Sequence, residues 1–502
     1  MLQPFRGILR QRLCAGPTKF RYNNITHHHH RTRSIIPQID IARVVCFSSS
    51  GVRNGNSLFD HATVSCLPGL EPVLSTELRM LGIQHHVPPP LSRRKKNTGE
   101  IKLHKVCTTN DLFRCCLYLG TATQVHWRCK LFASRGLPEL KRKIASLPWS
   151  EILKPDSIKN GHLDVRVVSS KSKLYHTGAI RDRVLQGIDQ HFGNEEDHYH
   201  QEERQQRCAE TTFPTVLLNV NVVRDEVQLS LNAYPTPLHQ RGYREQVAKA
   251  PLREDLAFAM LLMGGWTPAW SVDDEKATTG EDWQGLMDPF CGSGTIAIEG
   301  AAMMLGLPPG RLRHSSPFEG TVLEDTKKWS KLIRKSFATA EYRKQCDDKT
   351  SVSILASDRD AGAVEATTAN ADRAGVLQAL TIQRGALFGQ RWFETPAESP
   401  SSLLVVTNPP FGKRISSSHN NSSSSKGSLP LYQSLGHFLE RLSRKHARIA
   451  CGVVLTSNPA LVTKSGLSIP FKTSFKTFHG GLKVSAMKFD TSNLEQSKIA
   501  KL

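Results

Sequence analysis

A short apolar run followed by two prolines and an aromatic residue stands at Val405-Val406-Thr407-Asn408-Pro409-Pro410-Phe411-Gly412. Its β-branched start predicts a buried strand, which the prolines end because each lacks an N–H and fixes φ. Asn408 then offers a carbonyl acceptor at the strand tip, and Pro409 adds a backbone carbonyl. Phe411 offers a flat apolar face on which a base could stack. Taken alone, the segment fits a grip on the exocyclic amine of a planar ring and a plain proline turn equally well.

A glycine loop follows an earlier predicted strand, within Leu286–Thr295 (LMDPFCGSGT). Gly292 and Gly294 let the backbone approach a ligand closely, because neither carries a Cβ. The amides at the start of the next helix can receive an anion. The loop lacks the G-x-G-x-x-G of dinucleotide sites and the Lys-Ser/Thr of a P-loop, so it predicts another kind of cofactor.

This loop resembles motif I of the S-adenosylmethionine-dependent methyltransferases that act on amino nitrogens, which carry D-P-F-C-G-S-G. The resemblance implies S-adenosyl-L-methionine as the cofactor. It does not make Cys291 a nucleophile, because the pyrimidine C5 methyltransferases carry their reactive cysteine on later loops. The residues that the resemblance assigns to cofactor binding are Asp288, Pro289, Phe290, Gly292, Ser293, Gly294 and Thr295.

Acidic residues follow the next predicted strand, Val352–Ala356. Asp358 is predicted to accept the ribose hydroxyls of the cofactor, and Asp360 is the second choice. The third strand ends at Arg384-Gly385-Ala386, without the acid that many relatives place there for adenine, so backbone groups would take that role. In a mostly parallel, doubly wound α/β sheet, these strand tips share one edge with Asn408. That shared edge favours the amine-binding interpretation over the proline turn.

The N-terminal half alternates short strands and helices and predicts a mixed α+β region. It opens with a strand at Ala62–Cys66 and closes with a hairpin over Val216–Leu231 that turns at Arg224-Asp225. Together with the following segment Leu238–Arg244 (LHQRGYR), it resembles THUMP-containing RNA methyltransferases. More closely, it resembles the bacterial-type large-subunit ribosomal RNA guanine-N2 methyltransferases with a UPF0020-like Rossmann domain. The resemblance implies an RNA-binding THUMP domain ahead of a class I methyltransferase domain.

Six segments are predicted along the chain. The connecting segment is expected to contain an amphipathic helix that opens near Ala250 and ends at Gly264-Gly265. The segments are a transit-like or disordered stretch (1–55), an N-terminal α+β subdomain (59–110), a THUMP domain (111–235), a connecting helix and linker (236–284), a methyltransferase domain (285–490) and a tail (491–502).

Charge and cysteine usage narrow the partners. The 502 residues carry a net charge of +21, which favours a polyanion such as RNA. Residues 1–55 are rich in Arg and Ser and nearly free of acids, which predicts import into a mitochondrion or a plastid, with a cytoplasmic location as the alternative. No apolar run is long enough to cross a bilayer, and the 11 cysteines include no C-x-x-C pair. Neither a membrane nor a metal is therefore expected as a partner.

These observations predict methyl transfer to the N2 amine of guanine in structured RNA, with ribosomal RNA favoured over transfer RNA. Asn408, Pro409, Pro410 and Phe411 are the predicted catalytic residues. Other acceptors that the same motif serves are adenine N6 and a glutamine amide in a protein release factor. A transfer RNA enzyme, or a non-catalytic RNA-binding ribosome-assembly factor that keeps a methyltransferase shell, are the remaining alternatives.

Overall fold

The computed structural model describes residues 59–87, 98–104, 107–129, 131–159, 163–193, 216–245, 251–270, 283–346, 352–387, 402–411, 429–445, 450–463 and 469–490. Residues 56–502 form one compact unit. The predictions for residues 1–55, for most of the linker before residue 285 and for the tail lie outside the described residues. No helix in the described ranges is both long enough and apolar enough to span a membrane.

Seven strands form an N-terminal sheet with the order β2-β1-β3-β7-β6-β5, and β4 pairs with β7. All its neighbouring strands are antiparallel except β5 and β6, which run parallel. The strands are β1 (Phe59–Cys66), β2 (Glu100–Lys102), β3 (Ala122–Cys129), β4 (Phe132–Ala133), β5 (Leu163–Ser170), β6 (Val216–Val223) and β7 (Glu226–Asn232). The predicted hairpin is confirmed, and its turn residues Arg224 and Asp225 both adopt positive φ, as a tight two-residue turn requires.

Helices cover this sheet, and two of them, α3 and α5, pack against each other. They are α1 (Glu71–Met80), α2 (Thr109–Tyr118), α3 (Leu137–Ala145), α4 (Pro155–Lys159) and α5 (Thr177–His191). The sequence predicts that the first of these opens at Leu67, but it begins at Glu71, four residues later. The Glu71 carboxylate instead accepts the amides of Gly69 and Gly99, so the preceding residues form a turn.

The predicted boundary at residue 110 falls inside this single sheet. Strand β1 pairs with β2 on one side and with β3 on the other. The 59–110 segment and the 111–235 segment therefore share one hydrogen-bonded sheet.

The C-terminal sheet has seven strands in the order β10-β9-β8-β11-β12-β14-β13. The first five are parallel to one another, and β14 runs antiparallel to both β12 and β13. This confirms the predicted α/β, mostly parallel sheet of Rossmann type. The strands are β8 (Gly285–Asp288), β9 (Ser353–Asp358), β10 (Thr381–Arg384), β11 (Leu403–Thr407), β12 (Ala450–Thr456), β13 (Phe471–His479) and β14 (Leu482–Asp490).

Helix α6 (Glu254–Gly264) differs from its prediction. It begins four residues after Ala250 and is buried around nearly its whole circumference, so it is not amphipathic. It contacts α1 of the N-terminal region and strands β11, β12 and β14 of the C-terminal sheet. Phe258 lies where a side chain on Gly120 would stand, which explains the glycine there. A helix enclosed by both regions has no polar face, and its sequence is apolar on every side.

The remaining helices surround the C-terminal sheet. They are α7 (Thr295–Met304), α8 (Thr326–Cys346), α9 (Ala361–Arg373), α10 (Leu429–Lys445) and α11 (Pro459–Thr463). Neither α8 nor β13 is among the predicted elements.

Candidate active site at the strand tips

Three predicted site residues lie at one edge of the C-terminal sheet. Asp288 and Asp358 are the last residues of the neighbouring strands β8 and β9, and Asn408 directly follows β11 on the other side of β8. Parallel strands bring their carboxyl ends to the same edge, which is where ligands bind in open α/β sheets.

Asp288 is buried, with 1% of its surface exposed. Its Oδ1 accepts a hydrogen bond from the Thr407 hydroxyl at 2.8 Å and from the Phe290 amide at 3.2 Å. Burial raises the pKa of this carboxyl to about 7, although both hydrogen bonds favour the charged form. The side chain thus connects the strand of the Asn-Pro-Pro motif to the start of the glycine loop.

Side chains of helix α9 donate hydrogen bonds to the backbone of the glycine loop. The Thr367 hydroxyl donates to the carbonyl of Gly292 at 2.9 Å, and the Asn370 amide donates to the carbonyl of Ser293 at 3.0 Å. Gly294 has φ 83°, and a Cβ there would lie 2.6 Å from Cγ2 of Thr367. Sequence reasoning did not assign Thr367 or Asn370 to the site, because no local motif connects a helix to a loop some 75 residues earlier.

Asp358 uses both carboxylate oxygens within the site. Oδ2 accepts the Gly292 amide at 3.1 Å, and Oδ1 accepts the Asp360 amide at 3.0 Å. Asp360 is exposed and caps helix α9 through the Gly362 amide at 3.0 Å. The two acids therefore have different environments: Asp358 touches the glycine loop, and Asp360 faces solvent at a helix start.

An arginine from the connecting segment reaches the first residue of α7. Arg244 Nη2 donates to the Thr295 hydroxyl at 3.2 Å and lies 3.0 Å from the Glu254 carboxylate. Burial raises the pKa of Glu254 to about 7, and Arg244 opposes that rise. Ser293 Oγ, also buried, has no hydrogen-bond partner among the described residues. The Ser293 hydroxyl of the loop and the Arg244 guanidinium of the connecting segment therefore lie beside the N-terminus of α7.

A second buried cluster ties the N-terminal sheet to helix α7. Arg241 donates to the carbonyl of Gly120 at 2.7 Å, and its Nε lies 3.5 Å from Oε1 of Glu299. The Tyr243 hydroxyl donates to the same carboxylate oxygen at 2.9 Å. These contacts fix the segment Leu238–Arg244 between the two regions.

The Asn-Pro-Pro-Phe motif shows an acceptor without a donor. Oδ1 of Asn408 is buried and has no hydrogen-bond partner among the described residues. Pro409 is buried, Pro410 is exposed, and Phe411 is half-buried against the core. A buried amide oxygen normally has a partner, so this atom is available to an N–H of a ligand.

Cys291 does not have the environment of a nucleophile. It is buried, its Sγ lies 3.5 Å from the Thr367 hydroxyl, and burial raises the pKa of the thiol far above its usual range. A reactive cysteine needs a stabilised thiolate, so the structure supports leaving it out of the chemistry.

The arrangement fits S-adenosylmethionine. Asp358 would hold the ribose and the loop Gly292–Thr295 would receive the amino acid end, while Asn408 lies at the same edge of the sheet. The cofactor would supply an electrophilic methyl group on sulfur, and the protein would supply alignment.

Comparison with known proteins gives the same class of domain. Residues 241–480 match the family described as UPF0020, RMKL-like, methyltransferase domain. The ribosomal RNA large subunit methyltransferase K/L of Syntrophotalea carbinolica is 29% identical over 422 residues, which are 84% of this chain and 52% of that one. The chain thus spans about half the length of the curated relatives that it matches.

Solved structures share the fold. A possible methylase from Clostridium difficile 630 superposes with a TM-score of 0.64 at 23% identity, covering 86% of this chain and 97% of that one. SMU.472, a putative methyltransferase solved with SAH, superposes with a TM-score of 0.63 at 20% identity, covering 86% and 98%. The predictions of a class I methyltransferase fold and of S-adenosylmethionine as its cofactor are confirmed. Residues 241–480 are thus similar to the methyltransferase domain described as UPF0020, RMKL-like.

Proposed function

We propose that this protein transfers a methyl group from S-adenosylmethionine to the exocyclic N2 amine of guanine in structured RNA, with the large-subunit ribosomal RNA of an organelle as its substrate. The observation that carries the reaction type is the buried Oδ1 of Asn408, which has no hydrogen-bond partner in the described part of the chain and lies at the same sheet edge as Asp288 and Asp358.

The chemistry follows from that acceptor. An amine on an aromatic ring is a weak nucleophile, because its lone pair is delocalised into the ring. If Asn408 Oδ1 and the Pro409 carbonyl accept hydrogen bonds from the two N–H groups of this amine, the nitrogen moves towards sp3 geometry. Its lone pair then points at the sulfonium methyl. Phe411 would stack on the base and set the line of attack. A paired guanine would first have to leave its helix, at a cost of a few kcal/mol.

Two observations support RNA as the substrate. The net charge of +21 suits a polyanion, and the curated relatives are named as ribosomal RNA methyltransferases. The N-terminal α+β region, which we propose to contain a THUMP domain, would bind the RNA. The basic charge also argues against a protein release factor as the methyl acceptor.

The organellar location is proposed on the composition of residues 1–55, which are rich in Arg and Ser. Imaging of the full chain with a C-terminal fluorescent tag, beside a variant lacking residues 2–55, tests it. Cytosolic signal from the full chain would refute this part of the proposal.

Nucleoside mass spectrometry of ribosomal and transfer RNA from cells with and without the protein tests the function. We expect N2-methylguanosine to disappear from the large-subunit RNA when the protein is removed. Loss of N2-methylguanosine from transfer RNA instead would make transfer RNA the substrate. An unchanged guanosine profile would refute the proposed function.

A further inference from the structure

The end of the N-terminal sheet at the β6–β7 turn presents a cluster of exposed cations beside an exposed aromatic side chain. We call it the Lys171 surface and define it by Arg135, Lys171, Lys173, Tyr175 and Arg224. All five are exposed, and Tyr175 has 69% of its surface accessible to solvent.

The backbone under this surface is held in an unusual conformation. Lys171, Arg224 and Asp225 all adopt positive φ, at 53°, 54° and 65°, although none of them is glycine. Such residues cost free energy, so they persist only where neighbouring contacts fix them. The Arg224 amide donates to the carbonyl of Ser170 at 3.3 Å, which joins the two loops directly.

Asp225 is at the centre of these contacts. Its Oδ1 accepts the Lys173 amide at 2.7 Å, and its own amide donates to the Ser172 hydroxyl at 3.1 Å. Its carbonyl accepts the Ser134 amide at 2.8 Å, and its Oδ2 lies 3.5 Å from Arg135 Nε. The acid is thus used to fix three loops together, while the cations around it point into solvent.

The charge balance of the surface is positive. The surface has four cationic side chains and, beside them, the acids Asp225 and Glu226. Glu139, which accepts the Arg135 amide, is itself paired with Lys143 at 2.6 Å, and the described ion pairs include none with Lys171, Lys173 or Arg224. Helix α5 begins directly after the loop and has no acidic residue in its first turn. Its N-terminal dipole therefore adds to the positive potential.

Tyr175 gives the surface a stacking face. Its ring lies 4.1 Å from that of His176, centroid to centroid, at an angle of 39°. An exposed aromatic ring among cations is the combination that binds single-stranded bases while lysines and arginines contact the phosphates.

Strand β7 leads from the Lys171 surface to the segment that continues towards the C-terminal sheet. The strand runs for seven residues from Glu226, at the surface, to Asn232, where the chain turns towards the C-terminal sheet. That length is about 20 Å, since each strand residue advances about 3.3 Å.

We infer that the Lys171 surface is a second RNA contact, which binds a part of the structured substrate RNA remote from the target guanine through phosphates and one stacked, unpaired base. The inference rests on the proposed function and adds where, and through which groups, the RNA is held.

Binding of a fluorescein-labelled large-subunit ribosomal RNA hairpin to the full chain tests it, over a range of salt concentrations. The variant combines Lys171→Asn, Lys173→Gln and Arg224→Asn, because asparagine tolerates the positive φ of the first and third positions. The control combines Lys327→Gln, Lys331→Gln and Lys335→Gln on helix α8, which removes the same charge from one exposed helix face.

We expect the surface variant to bind the hairpin at least tenfold more weakly, with the slope of log affinity against log salt reduced by about 2, since each phosphate contact contributes about 0.7 to 0.9. The control should retain most of the affinity. Tyr175→Ala should weaken binding about tenfold without changing the slope, whereas Tyr175→Phe should bind like the unaltered protein.

The outcomes separate the two proposals. If the unaltered protein methylates the RNA but the surface variant binds as tightly as the control, the Lys171 surface is refuted and the function stands. If the protein binds the hairpin through these residues yet yields no methylated guanosine, the surface stands and the function is refuted. If the unaltered protein binds no RNA, both are refuted.

Discussion

The hydroxyl of Thr407 donates to Oδ1 of Asp288 over 2.8 Å, and both residues are the last of their strands. The bond joins β11, which leads into the Asn-Pro-Pro-Phe motif, to β8, which leads into the glycine loop. The Asn-Pro-Pro-Phe motif and the glycine loop are therefore positioned relative to each other by one buried contact as well as by the β8–β11 register.

Asp288→Asn tests the buried charge. Both hydrogen bonds to this side chain end at Oδ1, so asparagine can accept them while removing the ionisable group. The folded carboxyl has a pKa of about 7, above its unfolded value, so the folded wild type loses stability as pH rises through this range. Relative to wild type, the free energy of unfolding of the variant should rise by about 2–3 kcal/mol between pH 5 and pH 8. Denaturant unfolding at both pH values measures this, and a pH-independent difference would refute a raised pKa.

Asn408→Ala should separate function from stability. Oδ1 of Asn408 has no partner among the described residues, so its removal should change the free energy of unfolding by less than about 0.5 kcal/mol. Methyl transfer should fall at least about 100-fold, with cofactor affinity unchanged within about twofold. Asn370→Ala is the matched comparison, because its amide donates to the Ser293 carbonyl and its loss should destabilise the protein by about 1–3 kcal/mol. Retained activity in Asn408→Ala would remove this residue from catalysis.

The two acids after β9 should respond differently. Asp358 contacts the glycine loop and is predicted to hold the ribose, so Asp358→Ala should weaken S-adenosylmethionine binding more than about tenfold in calorimetric titration. Asp360→Asn should change it less than about twofold, because asparagine caps a helix as well as aspartate does. Equal losses, or a larger loss for Asp360→Asn, would make Asp360 the ribose ligand.

Gly294→Ala should disturb the glycine loop for a reason that a second substitution can relieve. The new Cβ would lie 2.6 Å from Cγ2 of Thr367, and φ is 83°. We expect a loss of about 1–3 kcal/mol in stability together with weaker cofactor binding. Adding Thr367→Ser removes Cγ2 but keeps the hydroxyl that donates to Gly292, so it should restore part of both. No recovery in the double variant would mean that backbone strain alone causes the loss.

The strand tips were predictable from sequence because their signals are local. A short, largely apolar run followed by Asp288, Asp358 or Asn408 is a local pattern, and the parallel fold brings such tips together. The positions of Thr367 and Asn370 against the glycine loop were not predictable, because they depend on how α9 packs. The same is true of Arg244, which reaches Thr295 across 51 residues of sequence.

Errors in the predicted elements have physical reasons. The apolar residues of α6 were assigned to one helix face, but contact with both helix α1 and the C-terminal sheet buries the other face as well. Strand β13 was missed because lysines and threonines interrupt its apolar residues, which suits an edge strand that pairs only with β14. Helix α8 is strongly polar, and its buried residues, among them Trp329 and Ser336, recur at wide helical spacing.

The most direct test incubates the purified full chain with methyl-labelled S-adenosylmethionine and protein-free large-subunit ribosomal RNA, and then identifies the labelled nucleoside by mass spectrometry. We predict label in N2-methylguanosine with the unaltered protein, and none with Asn408→Ala. Label in N6-methyladenosine or in another nucleoside, or equal label with and without Asn408, would contradict the account.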